Sequence, residues 1–180
     1  MSEPAGEIWR DGGFVEDPWI RADGADDAVI GEGQALLVAY AAFVADPGRF
    51  VGRNGPLGVE VSAGEPVDAL EPHLARLQLI AVVYPKFSDG RSYSAARLLR
   101  ERFGYKGEIR ATGDVLADQI PLMRRCGIDS LEIRHAPTRR ALLEGRIAEV
   151  RHYYQPIPNG TEAPAGTRPW LRLPTTPRTD

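Results

Sequence analysis

Residues 79–134, LIAVVYPKFSDGRSYSAARLLRERFGYKGEIRATGDVLADQIPLMRRCGIDSLEIR, decide the fold. The stretch reads as strand, polar turn, helix, strand, polar turn, helix, strand. Leu79 to Tyr84 is six apolar residues rich in β-branched and aromatic types, the mark of a strand covered on both faces, and it belongs near the centre of a sheet. From about Ser92 to Phe103 the residues Ala96, Leu99 and Phe103 fall on one helical stripe, with Arg97, Arg100, Glu101 and Arg102 largely elsewhere, and Gly104 is a natural stop. Glu108 to Ala111 follows as a strand. Val115 to Arg125 reads as a helix burying Leu116, Ile120 and Met123, with Gly127 beyond its end, and Ser130 to Arg134 is the next strand.

The pattern extends in both directions. Upstream, Gly58 to Val61 alternates as a strand, and Pro66 to Leu77 places Val67, Leu70, Leu74 and Leu77 at spacings of three and four, a helix with proline at its start. Gln34 to Asp46 reads as a first helix, ended by Pro47-Gly48. Downstream, Thr138 to Val150 is a fourth strand-following helix. Repeated β/α units imply an α/β single domain of mainly parallel strands with right-handed crossovers. A half-barrel resembling part of a TIM barrel fits somewhat better than an open Rossmann-like sheet, since 180 residues are too few for a complete eightfold barrel. Its open edges would be covered by the N-terminal arm or by a homodimer partner.

Three segments result: residues 1–33, an arm with short strands or a hairpin on the domain edge or held loosely; residues 34–150, the α/β domain; and residues 151–180, an extended tail with six of the fifteen prolines. In that tail Trp170-Leu171-Arg172-Leu173 offers a docking segment. The longest apolar run, Ala35 to Ala45, is about half of what a membrane span needs, and the acidic N-terminus lacks the features of a secretory signal, so a cytoplasmic location with no membrane partner is expected.

A lone Cys126 makes no internal disulfide and no iron–sulfur site, and His73, His135 and His152 lack metal-ligand spacing; no metal and no cofactor is expected. Cys126 reads as a structural thiol. Neither a Walker motif nor GxGxxG occurs. The net charge of −3 conceals a split: residues 1–33 hold nine acids against Arg10 and Arg21, whereas residues 86–140 hold twelve basic residues against seven acids. A pI of 5.7 argues against nucleic acid, while the central basic excess suits an anionic small molecule or an acidic partner.

Ligands of parallel α/β folds bind beyond the carboxyl ends of the strands, the position of both polar turns. Lys86, Arg91 and Arg97, with the hydroxyls of Ser92 and Ser94 and the backbone at Gly113, are candidate anion ligands; Arg110 and Arg134 alternate with apolar neighbours and can reach the same cleft. Asp89, Tyr93 and Asp114 are candidate acid–base groups. For Asp89, Ser92 and Asp114 helix capping is an equally good reading, as is core packing for Tyr93.

Residues Tyr84 to Ile133 resemble a bacterial domain family of unknown function numbered nine-three-four, most specifically in PKFxDGRxYSxARLLRERxGYxGExRAxGDVLxDQ. The likeness is close over Gly58 to Arg134 and extends towards Gln34; Ser88 and Ile120-Pro121 depart from it, and the proline-rich tail lies outside it. Members are labelled as oxidoreductases of sulfite reduction through association with assimilatory sulfite reductase genes. The resemblance implies an accessory protein of sulfur assimilation that binds an anionic ligand or sulfite reductase itself. A small oxidoreductase or lyase-like enzyme acting on an anion, and a small-molecule sensor, are the alternatives. No catalytic residue comes with the resemblance.

Overall fold

A computed structural model of the chain describes residues 7–22, 31 and 33–147. Eight strands form one sheet: β1 (Glu7–Arg10), β2 (Gly13–Glu16), β3 (Trp19–Ala22), β4 (Ala35–Ala39), β5 (Leu57–Val61), β6 (Leu79–Tyr84), β7 (Glu108–Gly113) and β8 (Ser130–Glu132). Their order is β2-β1-β8-β7-β6-β5-β4-β3. Neighbours from β3 to β8 run parallel, whereas β1 is antiparallel to both β8 and β2. The helices are α1 (Tyr40–Ala45), α2 (Pro47–Val51), α3 (Arg91–Glu101), α4 (Ile120–Arg125) and α5 (Ala136–Leu143).

The sheet is a half-barrel, and its two edges lie close together. β2 and β3 are the edge strands, yet only Asp17 and Pro18 separate them in the chain. Laid flat, β3 and β8 would stand five strand spacings apart, about 24 Å. Nevertheless Arg21 of β3 makes an ion pair with Glu132 of β8. Only a strongly curled sheet allows that contact. Arg21, Leu37, Gly58, Leu79 and Glu108 form one register row, and Arg110 pairs with Ser130. Arg21 therefore meets a residue four rows nearer the carboxyl ends, the offset produced by tilted strands in a closing barrel.

Period-two alternation divides each strand between two environments. Leu36, Val38, Leu57, Val59, Ile80, Val82, Tyr84, Ile109, Ala111 and Leu131 join helix residues such as Phe43, Ala96, Leu99, Met123 and Leu142 in the main core. On the helix-free face a smaller cluster of Leu37, Leu79 and Ala81 packs with Trp19. The same face carries the polar residues Arg21, Glu60, Glu108, Arg110, Thr112, Ser130 and Glu132, with Ile8 in register beside Glu132 and Val83 beside Thr112.

Several sequence expectations need correction. Ala35–Ala39 is a strand rather than part of a helix from Gln34, and only Tyr40–Ala45 is helical. An apolar run has no period that separates a two-face-buried strand from a buried helix. Pro66 to Leu77 contains a 3₁₀ helix over Val67–His73, with Pro72 inside it denying an α-helical hydrogen bond. The helix expected from Val115 begins at Ile120, and that expected from Thr138 to Val150 is Ala136–Leu143, with residues 148–150 outside the described residues. The N-terminal arm supplies three strands, including both edges, and so occupies the edges that a homodimer partner would otherwise cover. The tail segment at Trp170 lies outside the described residues. No helix among the described residues is long and apolar enough to cross a membrane.

Candidate functional site

The two turns meet at the carboxyl ends of β6 and β7, as neighbouring parallel strands require. Gln119 joins them: its Nε2 donates to the Phe87 carbonyl at 3.2 Å, and its Oε1 accepts from the Leu116 amide. The Asp114 amide donates to the Tyr84 carbonyl at 2.7 Å. Gly113 sits at φ +86, where a Cβ would run into that same carbonyl, so glycine is required for the close approach.

Within the first turn, Asp89 and Arg91 are bound to each other. Arg91 donates through Nη2 at 2.6 Å, through Nε at 3.0 Å, and from its backbone amide at 3.1 Å. These bonds hold the Asp89 carboxyl down at about 2. The Arg91 guanidinium also lies over Gly64, where a Cβ would come within 2.6 Å of Nη1. Ser92 is buried and donates to the Val83 carbonyl at 2.5 Å, a structural bond to the strand end. Asp89 does serve the start of α3, its Oδ1 accepting from the Arg91 amide, whereas Ser92 is spent on the strand end and Asp114 stands six residues ahead of α4.

Tyr93 packs edge-on against Tyr84 at 4.8 Å. Burial, helped by Cys126 and Asp118 nearby, pushes its hydroxyl up to about 12. Cys126 is half-buried and its thiol is pushed up by burial. Arg97 pairs with Glu101 one turn along α3 at 2.5 Å. Ser94 and Asp114 are exposed. Lys86 and Phe87 project from the turn: Phe87 is 61% exposed, and Lys86 makes no ion pair among the described residues.

Arg110 stands apart from this group. It is fully buried on the inner face, where Nη1 donates to both carboxylate oxygens of Asp17 at 2.8 Å and Nη2 to Glu108 at 2.9 Å. Ser130 bonds the same Glu108 oxygen at 2.5 Å. A second network holds Arg21 on Glu60 at 3.2 Å and on Glu132, with Arg134 on the other Glu132 oxygen at 2.7 Å. Burial raises the Glu132 carboxyl, but the hydrogen bonds from Arg21 and then Arg134 outweigh it and keep the group below its ordinary range.

Sequence reasoning passed over Asp17, Arg21, Glu60, Glu108, Thr112 and Glu132. Two signals were present: the i, i+2 pairs Glu108/Arg110 and Glu132/Arg134, which put opposite charges on one strand face, and the acidic excess of the arm. That excess is answered within the fold, with Asp17 on Arg110 and Glu7 on Arg139. Part of the central basic charge is thereby neutralised internally. Among the described residues no three acidic, histidine or cysteine side chains gather as metal ligands.

Fold and site define an α/β half-barrel protein with a helix-covered outer face, a charged inner face and a bridged pair of turns at the strand ends. A family model described as "Bacterial protein of unknown function (DUF934)" matches residues 58–164, more than half of the chain, and the chain belongs to that family. No curated protein matches it. The match runs past Arg134 into the proline-rich segment, which corrects the narrower extent read from the sequence, and it leaves β1 to β4 outside.

Proposed function

We propose that this chain is an accessory protein of assimilatory sulfite reduction that docks on an acidic face of sulfite reductase through the Lys86–Phe87 turn. The observation that carries the reading is the projecting Lys86 and Phe87, with the Phe87 carbonyl pinned by Gln119. Small-molecule sites are concave and enclose their ligands. A cation beside an exposed aromatic on a fixed, outward turn instead suits a protein surface, where aromatic anchors carry much of the binding energy. The sulfur-assimilation context comes from the family resemblance.

Stand-alone catalysis at this turn has less support. Asp89, held at about 2 by Arg91, keeps no proton near neutrality, and Tyr93 at about 12 does not give one up. A cytoplasmic location follows from the proposed partner.

The test in the cell is growth on sulfate as sole sulfur source. The variant Lys86→Ala plus Arg91→Ala, as the only copy of the gene, should abolish growth while the purified protein keeps its native circular dichroism. Normal growth of that strain defeats the proposed docking turn.

A further inference from the structure

The turn that carries Lys86 and Phe87 is held at three points. The Asp89 amide donates to the Lys86 carbonyl at 3.0 Å, which closes a four-residue β-turn with Phe87 and Ser88 at its tip. Gln119 holds the Phe87 carbonyl from the β7 side. Asp89 ends the turn with its side chain 16% exposed, and Arg91 takes both of its oxygens.

Helix capping accounts for one of these bonds, from the Arg91 amide to Oδ1 of Asp89. It does not account for the guanidinium. Nε donates to Oδ1 at 3.0 Å and Nη2 to Oδ2 at 2.6 Å, a two-pronged grip that suits the planar fork of arginine and not the single point of a lysine. The remaining edge, Nη1, lies on the backbone of Gly64, where a Cβ would come within 2.6 Å of it. Gly64 has φ +96 and follows β5, so Arg91 ties the β6 turn to the strand neighbour opposite Gln119.

This placement separates the two cations of the turn. Both are exposed, Arg91 over 64% of its side chain, but Lys86 makes no ion pair among the described residues, whereas the charge of Arg91 is answered by Asp89 at short range. A paired guanidinium adds little net field towards an acidic surface.

We propose that Arg91 is a positioning residue of the docking turn: it clamps Asp89 and, resting on Gly64, fixes the angle at which Phe87 is presented, while Lys86 supplies the charge that the acidic partner meets. This role rests on the docking reading above, and it divides between two residues the effect expected of the Lys86→Ala plus Arg91→Ala variant.

The test measures binding of the full chain to purified sulfite reductase over a salt series for the native sequence, Arg91→Lys, Asp89→Asn and Lys86→Ala, with amide hydrogen exchange of each free chain beside it. Arg91→Lys keeps the charge and loses the fork. It should weaken binding about tenfold, the weight of one charge-assisted hydrogen bond, and leave the salt dependence as it is. Lys86→Ala should instead flatten the salt dependence and leave exchange at the turn unchanged. Asp89→Asn gives opposite results for the two roles of Arg91: a contacting guanidinium, freed from its carboxylate, would tighten binding to an acidic face, whereas a positioning one loses its hold and binding weakens. Both Arg91→Lys and Asp89→Asn should speed exchange of the Asp89 amide in the free chain. Unchanged affinity in Arg91→Lys, tighter binding in Asp89→Asn, or native exchange at Asp89 in both variants overturns the positioning role while docking stands. No binding by the native chain overturns the docking reading, and this role with it.

Discussion

Arg21 and Glu132, on strands five places apart in the sheet order, form an ion pair across the inner face of the half-barrel. Together with Asp17 on Arg110 it ties the β3 edge to β7 and β8, while β2 and β3 remain the two ends of the strand order. The curl of the sheet is therefore held partly by buried charge, and buried charge responds strongly to losing its partner.

Arg110→Ala leaves Asp17 without the Nη1 donor that satisfies both of its oxygens and Glu108 with two bonds fewer, in a buried setting. Removing one member of a buried ionic network costs about 3–5 kcal/mol. A urea titration followed by circular dichroism should show that loss. A shift in stability below about 1 kcal/mol would mean that the network is not what closes the seam.

Acid should open the latch. Glu132 is held below its ordinary range in the fold, so the unfolded chain takes up its proton first as the pH drops. Its stabilising contribution is complete above the unfolded value of about 4.3 and fades as the pH falls through the depressed folded value. Chemical denaturation repeated from pH 7 downwards should show a steeper loss below about pH 4.5 for the native chain than for Glu132→Gln.

Gly113→Ala tests the junction of the two turns. The position has φ +86, and its Cβ would collide with the Tyr84 carbonyl that receives the Asp114 amide. A loss of about 2 kcal/mol or more in thermal or urea unfolding is expected. A neutral outcome would show that the turn relaxes freely.

The sequence made β6, α3 and the parallel β/α order legible because those signals are local. The six apolar residues from Leu79 are rich in β-branched and aromatic types and stop at Pro85, which favours a short two-face-buried strand, and Arg91–Glu101 has a clear amphipathic stripe. The convergence of the Lys86 and Asp114 turns followed from strand adjacency alone. β4 was misread because Ala35–Ala39 and Tyr40–Ala45 are equally apolar, and the change from strand to helix lies in tertiary pairing with β3 and β5. The inner charge networks were not legible because their partners are far apart in sequence, with Asp17 and Arg110 separated by 93 residues. Arg110 could be placed on a strand face, but which charges faced it depended on the curl. The same holds for Thr112, whose unmet hydroxyl is a property of the packed structure.

Gln119 makes a narrower prediction. Its side chain is the bridge between the turns, bonding the Phe87 carbonyl and the Leu116 amide. Gln119→Ala should cost about 1 kcal/mol of stability and weaken docking by loosening the Phe87 turn. Equal docking affinity in this variant, measured by biolayer interferometry, would separate the turn's fixed geometry from its function.

The central claim is tested most directly by measuring binding of the full chain to purified sulfite reductase over a salt series, for the native sequence and for Lys86→Glu plus Phe87→Ala. Both side chains are exposed, so the double variant should keep its urea midpoint. Saturable binding that weakens steeply with salt and is lost in the double variant is the predicted result. No binding at low salt, or the same affinity in the double variant, would contradict the account.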